Sequence, residues 1–307
     1  MHIAVYFHKR LPVRGYGGTQ RVIVWLVRGL VEAGHRVTLL AAPGSRVAEA
    51  SVVPVAPQRG AAPDLDAHLP PGVDLLHSHG LLSPPPRCPH VSTLHGNLRP
   101  GQVATPTTIF LSADHARRHD SQAFVHNGID PADYRFRAGK SSYDLFLGRL
   151  HRIKGYHWAI DGARRAGRRL VLAGGWRPSL RRGVRFVGEV GGERKTEWLA
   201  GAACLWMPAL WDEPFGLTLL EALASGTPVL GTRRGALPEV VGPEVGRLGD
   251  TLDDLVSLRP ELDRIDPYAC RSWVERWFTH RAMAEGYLRM YRHYLTTGAL
   301  PPGRRIE

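Results

Sequence analysis

Cysteine is scarce: Cys88, Cys204 and Cys270 are the three in 307 residues. An odd, scattered set offers neither a disulfide framework nor metal-ligand spacing, and suits a reducing cytoplasm. Long apolar runs are missing as well; none approaches the roughly 20 residues that span a bilayer. The opening MHIAVYFHKR meets charge too early to read as a secretion signal. Lysine is nearly absent, with only Lys9, Lys140, Lys154 and Lys195 among 40 Lys and Arg residues. Arginine therefore carries the net charge of +12, a balance that favours phosphate groups, nucleic acid or an acidic membrane surface. The arginines are spread along the chain, though, and neither an aromatic–basic motif nor a basic helix marks a nucleic-acid binder. Charge alone decides little.

What is present is a repeated α/β pattern. Apolar runs at 2–7, 36–42, 51–55, 74–79, 90–95, 108–112 and 123–127 read as strands. Residues 19–33 read as a helix apolar nearly all round, with Gln20, Arg21, Arg28 and Glu32 on a narrow wet stripe. Periodicity stops near 128–140 and then restarts, with strands at 143–148, 169–174, 184–188, 204–209 and 227–232. Helices are expected at 155–166, near 192–201 and at 216–225, and a Trp- and Tyr-rich amphipathic stretch runs over 272–295. Strands alternating with helices predict parallel sheets covered on both faces. The fold class is α/β, with two doubly wound Rossmann-like domains, 1–134 and 135–280.

Three clusters suit one task, holding a sugar diphosphate. Gly15-Tyr16-Gly17-Gly18 lies between the first strand and the first helix, where glycine admits a close ligand and helix amides favour an anion. A plain tight turn explains those glycines equally well. Gly148-Arg149-Leu150, followed by Lys154-Gly155, puts two cations on a loop at the carboxyl end of a strand. Arginine offers phosphate a planar fork and lysine a point charge, although solvated surface cations are the commoner fate. The third cluster, Trp211 to Glu221, sets Glu213 in a loop and Gly216, Leu217 and Thr218 at a helix start. Glu221 follows one turn further in, where a carboxylate can accept from a vicinal diol. The bland alternative makes Glu213 a capping acid and Glu221 a buried structural one. His77 and His79 share a strand face and read as lining of an acceptor site or as satisfied polar residues; a third metal ligand is not evident beside them.

The segments GYGGTQRV, LHGN, VHNGID, GRLHRIKG, VRFVGEV and EPFGLTLLEALASGTPVLGT stand in an order that resembles the family-4 retaining glycosyltransferases of the GT-B fold. The resemblance implies two domains facing a cleft, and a hexosyl-type transferase that takes a nucleoside diphosphate sugar, UDP- or GDP-linked, without a metal or other cofactor. By the same resemblance Arg149 and Lys154 bind the diphosphate and stabilise the leaving group. Glu213 then contacts the transferred sugar, and Gly216, Leu217 and Thr218, with Phe215 beside them, line the donor. Glu221 holds the ribose, Glu189 and Val190 edge the base, Gly17 and Gly18 cover the phosphates, and His95 is the active-site histidine. The family's pairing of its termini implies that the chain crosses back after about residue 280, so that 281–307 packs on the N-terminal domain. The resemblance implies front-face transfer too, and the residues agree with it on one point: Glu221 is best spent on the ribose, and no second carboxylate has an obvious place beneath the anomeric carbon, as a double displacement would need.

One departure concerns the acceptor. Only about 30 residues separate His95 from VHNGID, fewer than the family carries there, which leaves a small molecule, a glycan or a lipid-linked acceptor open. The expected setting is the cytoplasm, with peripheral contact at the inner membrane surface and no nucleic-acid partner. Two other classes stay in view: a nucleotide-sugar hydrolase or epimerase reusing the same phosphate contacts, and a basic non-catalytic binder.

Overall fold

A computed structural model describes the chain except for Arg14, Tyr16, residues 57–62 and 178–181, and Glu307. The first strands and helices are β1 (His2–Phe7), α1 (Gly18–Glu32), β2 (Arg36–Ala41), β3 (Ser51–Pro54), β4 (Leu75–Ser78), β5 (His90–Thr93), β6 (Thr108–Ile109) and α2 (Ala113–Arg117). Next come β7 (Tyr143–Leu147), α3 (Tyr156–Arg165), β8 (Arg169–Ala173), β9 (Val184–Phe186), α4 (Gly192–Gly201), β10 (Leu205–Met207) and α5 (Leu217–Ala224). The chain ends through β11 (Val229–Thr232), α6 (Leu237–Val240), β12 (Gly246–Gly249), α7 (Leu252–Leu258), α8 (Pro267–Trp277) and α9 (His280–Thr297).

The chain divides into Met1–Gly128 with His280–Glu307, and Ile129–Thr279. In the first unit the strand order is β3-β2-β1-β4-β5-β6, and every neighbouring pair is parallel. The buried run of β1 suits a strand covered on both faces, and it lies between β2 and β4. α1 turns Val22, Ile23, Trp25, Leu26, Val27 and Leu30 inward. Its polar stripe is put to use: Arg28 meets Glu49 at 3.1 Å, and Glu32 takes Arg281 at 2.7 Å. α9 lies against α1 because residue 29 is glycine; a Cβ there would come within 2.6 Å of the His280 carbonyl oxygen.

The second unit repeats the architecture with order β12-β11-β10-β7-β8-β9, again all parallel. Its core gathers Phe146, Leu170, Leu172, Trp206, Leu230 and Leu255. Buried among them, Asp144 accepts from the Trp206 indole at 2.8 Å and from Arg259 at 2.6 and 2.7 Å.

Three expectations shift. The second unit begins at Ile129 rather than residue 135, because Ile129 donates its amide to the Phe278 carbonyl at 2.9 Å and bridges Thr279. The stretch 272–295 is two helices, not one; the break at Phe278 and Thr279 is where the chain leaves one unit for the other. Residues 123–127 make only an isolated bridge, Phe124 to Phe110, beyond the edge of the two-residue β6.

Candidate functional site

In the second unit the strand order reverses between β10 and β7, and ligands of open α/β sheets bind beyond the carboxyl ends at such a point. Both loops that leave these strands carry expected site residues. After β7 a short 3-10 turn, Arg152–Lys154, ends in Gly155 with φ of 74°. That glycine is required twice over: its backbone is left-handed, and a Cβ would collide with the Pro208 carbonyl beyond β10. The Leu210 amide donates to the Ile153 carbonyl at 2.8 Å, stapling the two loops together. Lys154 Nζ thereby reaches Glu213 Oε2 at 2.5 Å. The Trp211 indole N–H donates to the same oxygen at 3.0 Å, and its ring lies 4.4 Å from the Lys154 ammonium. The Glu213 backbone is fixed as well: Ala236 donates to its carbonyl at 2.9 Å, and Gly235 leaves no room for a side chain against it. Lys154 and Glu213, given separate tasks by the sequence, are thus one ion pair. Trp211, to which the sequence gave no task, holds both. Arg149 is exposed on the same loop as Lys154.

α5 starts at Leu217 after Gly216, whose φ of 85° turns the chain without a side-chain cap. The amides of Leu217 and Thr218 head the helix and, as at any helix start, have no intrahelical acceptor. The Thr218 hydroxyl approaches Met207 Sδ at 3.8 Å. Phe215 is a core residue, 2% exposed, with its ring edge-on to Phe278 at 6.1 Å. Glu221 is only 1% exposed; its Oε1 accepts from Tyr134 at 2.9 Å and pairs with Lys195 of α4 at 2.8 Å. Sequence reading passed over Lys195 and Tyr134. The available signal was Lys195 itself, one of four lysines, which shares the buried side of α4 with Leu199 and Ala200.

Glu189, exposed, and Val190, half-buried, follow Gly188, whose φ is 76°. The Gly188 carbonyl accepts from the Gly174 amide at 2.8 Å, tying the loop after β9 to the loop after β8.

In the first unit Gly17 precedes α1 with φ of 172° and Gly18 is its first residue, while Tyr16 lies outside the described residues. The histidines form a file at the carboxyl ends of β4 and β5, with His77 and His79 buried and His95 half-buried. His77 bonds Thr93 Oγ1 through Nε2 at 2.7 Å and Tyr291 through Nδ1 at 2.7 Å. Thr93 in turn donates to the Tyr287 hydroxyl at 3.0 Å. His79 Nδ1 meets His95 Nε2 at 2.8 Å. Burial holds His77 down to about 3, His95 down to about 4, and His79 well below the ordinary imidazole range. His77 has both nitrogens engaged, which favours the satisfied-residue reading over a metal ligand. Among the described residues, no group of three or more His, Cys, Asp or Glu is arranged to hold a metal. An Asp-x-Asp spacing does occur at Asp64 and Asp66, but its carboxylates bond backbone: Asp64 takes the Asp66 amide and Asp66 the Arg87 amide, each at 3.1 Å.

The profile of the glycosyl transferases group 1 matches residues 143–256. Over nearly its whole length the chain also aligns with AviGT4, a glycosyltransferase involved in avilamycin A biosynthesis, at 31% identity and a TM-score of 0.81. That match covers 98% of this chain and 99% of AviGT4. The chain belongs to the group 1 glycosyltransferases. Its fold is GT-B, shared with sucrose-phosphate synthase of Thermosynechococcus elongatus at 19% identity and a TM-score of 0.72, over 96% of this chain and 99% of that one. A phosphatidyl-myo-inositol mannosyltransferase of Propionibacterium freudenreichii subsp. shermanii is 30% identical over 140 residues, 41% of this chain. The match spans only 37% of that mannosyltransferase. The segment matched by the group 1 profile contains Arg149, Lys154, Lys195, Trp211, Glu213 and Glu221. The histidine file of the other unit lies outside it.

Proposed function

We propose that this group 1 glycosyltransferase belongs to family 4 and transfers a hexosyl group from a UDP- or GDP-linked donor with retention of configuration. The observation that carries the reading is the Lys154–Glu213–Trp211 cluster beside the start of α5, at the strand-order reversal of the second unit. It sets a cation and helix amides, which suit diphosphate, next to a carboxylate, which suits a sugar ring gaining positive charge. In the reaction the bond from the anomeric carbon to the phosphate oxygen breaks. The acceptor oxygen bonds that carbon on the same face, and its proton passes to the departing phosphate. Arg149, Lys154 and the amides of Gly216, Leu217 and Thr218 stabilise the charge on the leaving group, so the reaction needs no divalent metal. Phe215 supports this turn from the core, and Gly17 and Gly18 offer backbone to the phosphates. Glu189 and Val190 edge the base. Glu221 serves the ribose diol as a carboxylate already held by Tyr134 and Lys195, so structural and binding roles coincide in it. The near-complete alignment with a glycosyltransferase favours transfer over hydrolysis or epimerisation of the same donors.

The acceptor is a small molecule, a glycan or a lipid-linked sugar, met in the cytoplasm or at the inner membrane surface. Among the described residues, no helix is long and apolar enough to cross a membrane.

Titration of UDP and GDP with and without chelator tests the donor site, with equal affinity expected in both. Complete loss of binding in chelator would refute metal independence. Incubation of the preferred donor with candidate acceptors should give an α-glycoside from an α-linked donor. Free sugar as the sole product, whatever the acceptor, would return the chain to the hydrolases.

A further inference from the structure

The proton positions along the histidine file can be worked out from its partners. Thr93 gives its hydroxyl proton to Tyr287, so it can only accept from His77 Nε2. His77 therefore carries its proton on Nε2, and its Nδ1 accepts from Tyr291. Both ring nitrogens of His77 are thus engaged, and the tyrosine rings pin it in place. His79 stacks on His77, with ring centroids 4.3 Å apart, and is 5% exposed.

His79 has two ways to bond His95. If His79 is protonated on Nε2, its Nδ1 accepts from His95, and a buried N–H is left over, because His79 Nε2 has no hydrogen-bond partner among the described residues. If His79 is protonated on Nδ1, it donates to His95 Nε2, and only a lone pair is left over. An orphaned buried N–H is the rarer and more costly defect. The second arrangement also fixes His95, which must then carry its own proton on Nδ1.

We infer that His79 is a positioning residue that locks His95 in the Nδ1–H tautomer, so that His95 offers a hydrogen-bond donor to a ligand oxygen. The ligand chemistry is a hydroxyl of the transferred sugar, and that last step rests on the reading of His95 as a site residue. Tyr287 and Tyr291 of α9 act one stage further back, through His77, which explains why the terminal helix buries two tyrosines against this sheet.

Two-bond proton–nitrogen correlation spectra of the full chain labelled with nitrogen-15 histidine read the tautomers directly, without any variant. The expected result is a His95 protonated on Nδ1; a His95 protonated on Nε2 overturns the inference. In His79→Leu the tautomer lock should be lost and kcat should fall about fivefold to tenfold, the effect of one neutral hydrogen bond, with KM for donor changing less. In His79→Asn, whose amide N–H stands near the imidazole Nδ1 position, both the signature and kcat should recover. Loss of kcat in His79→Leu without rescue, or with the His95 signature unmoved, assigns His79 a purely structural role and also overturns the inference. If the tautomer is as stated but His95→Phe transfers sugar normally, the lock stands and the placing of His95 in the site falls.

Discussion

The sharpest test of the second unit is the buried ion pair between α4 and α5. Lys195 and Glu221 have side chains 8% and 1% exposed and meet at 2.8 Å. Substituting one partner leaves the other charged and out of water, which in buried pairs costs about 3–5 kcal/mol. Glu221→Gln keeps an acceptor for Tyr134 but removes the charge opposite Lys195, so the lower end, about 3 kcal/mol, is expected. For a unit of this size that lowers the melting temperature by about 10 °C. Lys195→Met should cost as much, because Glu221 is then the stranded charge. The double variant strands neither, so its loss should fall short of the sum by about 2 kcal/mol or more. Urea unfolding of wild type, both single variants and the double variant gives the cycle. Nucleoside diphosphate affinity, measured well below each melting point, separates the second role. A ribose contact predicts a further tenfold to hundredfold loss in Glu221→Gln. Additive stabilities would show that the pair is not formed in solution, and an unchanged affinity would leave Glu221 a structural acid alone.

Three other outcomes follow from single residues. Gly155→Ala forces a Cβ onto the Pro208 carbonyl in a left-handed backbone; stability of the second unit should fall by about 3 kcal/mol or more, and nucleoside diphosphate binding with it. Wild-type-like unfolding would refute the staple. Trp211→Phe keeps a ring beside Lys154 but removes the N–H on Glu213, so kcat should drop about fivefold while nucleoside diphosphate affinity holds; equal losses in both would place Trp211 with the leaving group. For pH, burial depresses His77, His79 and His95, so below about pH 6.5 the unfolded chain binds protons that the folded chain refuses. Stability therefore falls as pH drops, by up to about 1.4 kcal/mol per pH unit for each such histidine, and the fall begins to level only near pH 4, where His95 protonates in the folded form too. A flat denaturation midpoint between pH 7.5 and 5 would refute the buried neutral file.

Much of the fold was legible because its strands are short apolar runs, several bounded by glycine or proline, as at Arg36–Ala41 between Gly34 and Pro43 and at Tyr143–Leu147 before Gly148. Boundaries were less so. Hydrophobic periodicity lapses over 128–140 whichever unit the residues join, and bonds to distant residues assign them, among them the Ile129 bridge to Thr279, the Tyr134 bond to Glu221 and the Lys140 bonds to Ala200 and Thr227. The same limit hid the break between α8 and α9: Phe278 and Thr279 continue the amphipathic pattern, and the bonds that end the helix reach back some 150 residues. Local pattern reports which face is apolar. It does not report which distant segment covers that face.

The site divides along the same line. Gly148, Lys154, Glu213 and Gly216 were readable because strand ends and helix starts are local features, and parallel α/β sheets collect them on one edge. The pairing of Lys154 with Glu213 was not, because it depends on Gly155 tolerating the Pro208 carbonyl, a contact between loops 53 residues apart. That pairing bears on mechanism. Glu213 Oε2 already receives the Lys154 ammonium and the Trp211 N–H. To attack the anomeric carbon through that oxygen it would have to give up at least one of these donors, and the other carboxylates among the expected site residues, Glu189 and Glu221, are expected at the base and the ribose rather than as the partner that double displacement requires. To stabilise positive charge on the sugar ring it need surrender neither. In the proposed front-face transfer Lys154 would work on both sides of the breaking bond, orienting the carboxylate with one face of its charge and meeting the departing phosphate with the other. A front-face transfer asks of this loop only that arrangement, held rigid by Gly155, Gly235 and the indole.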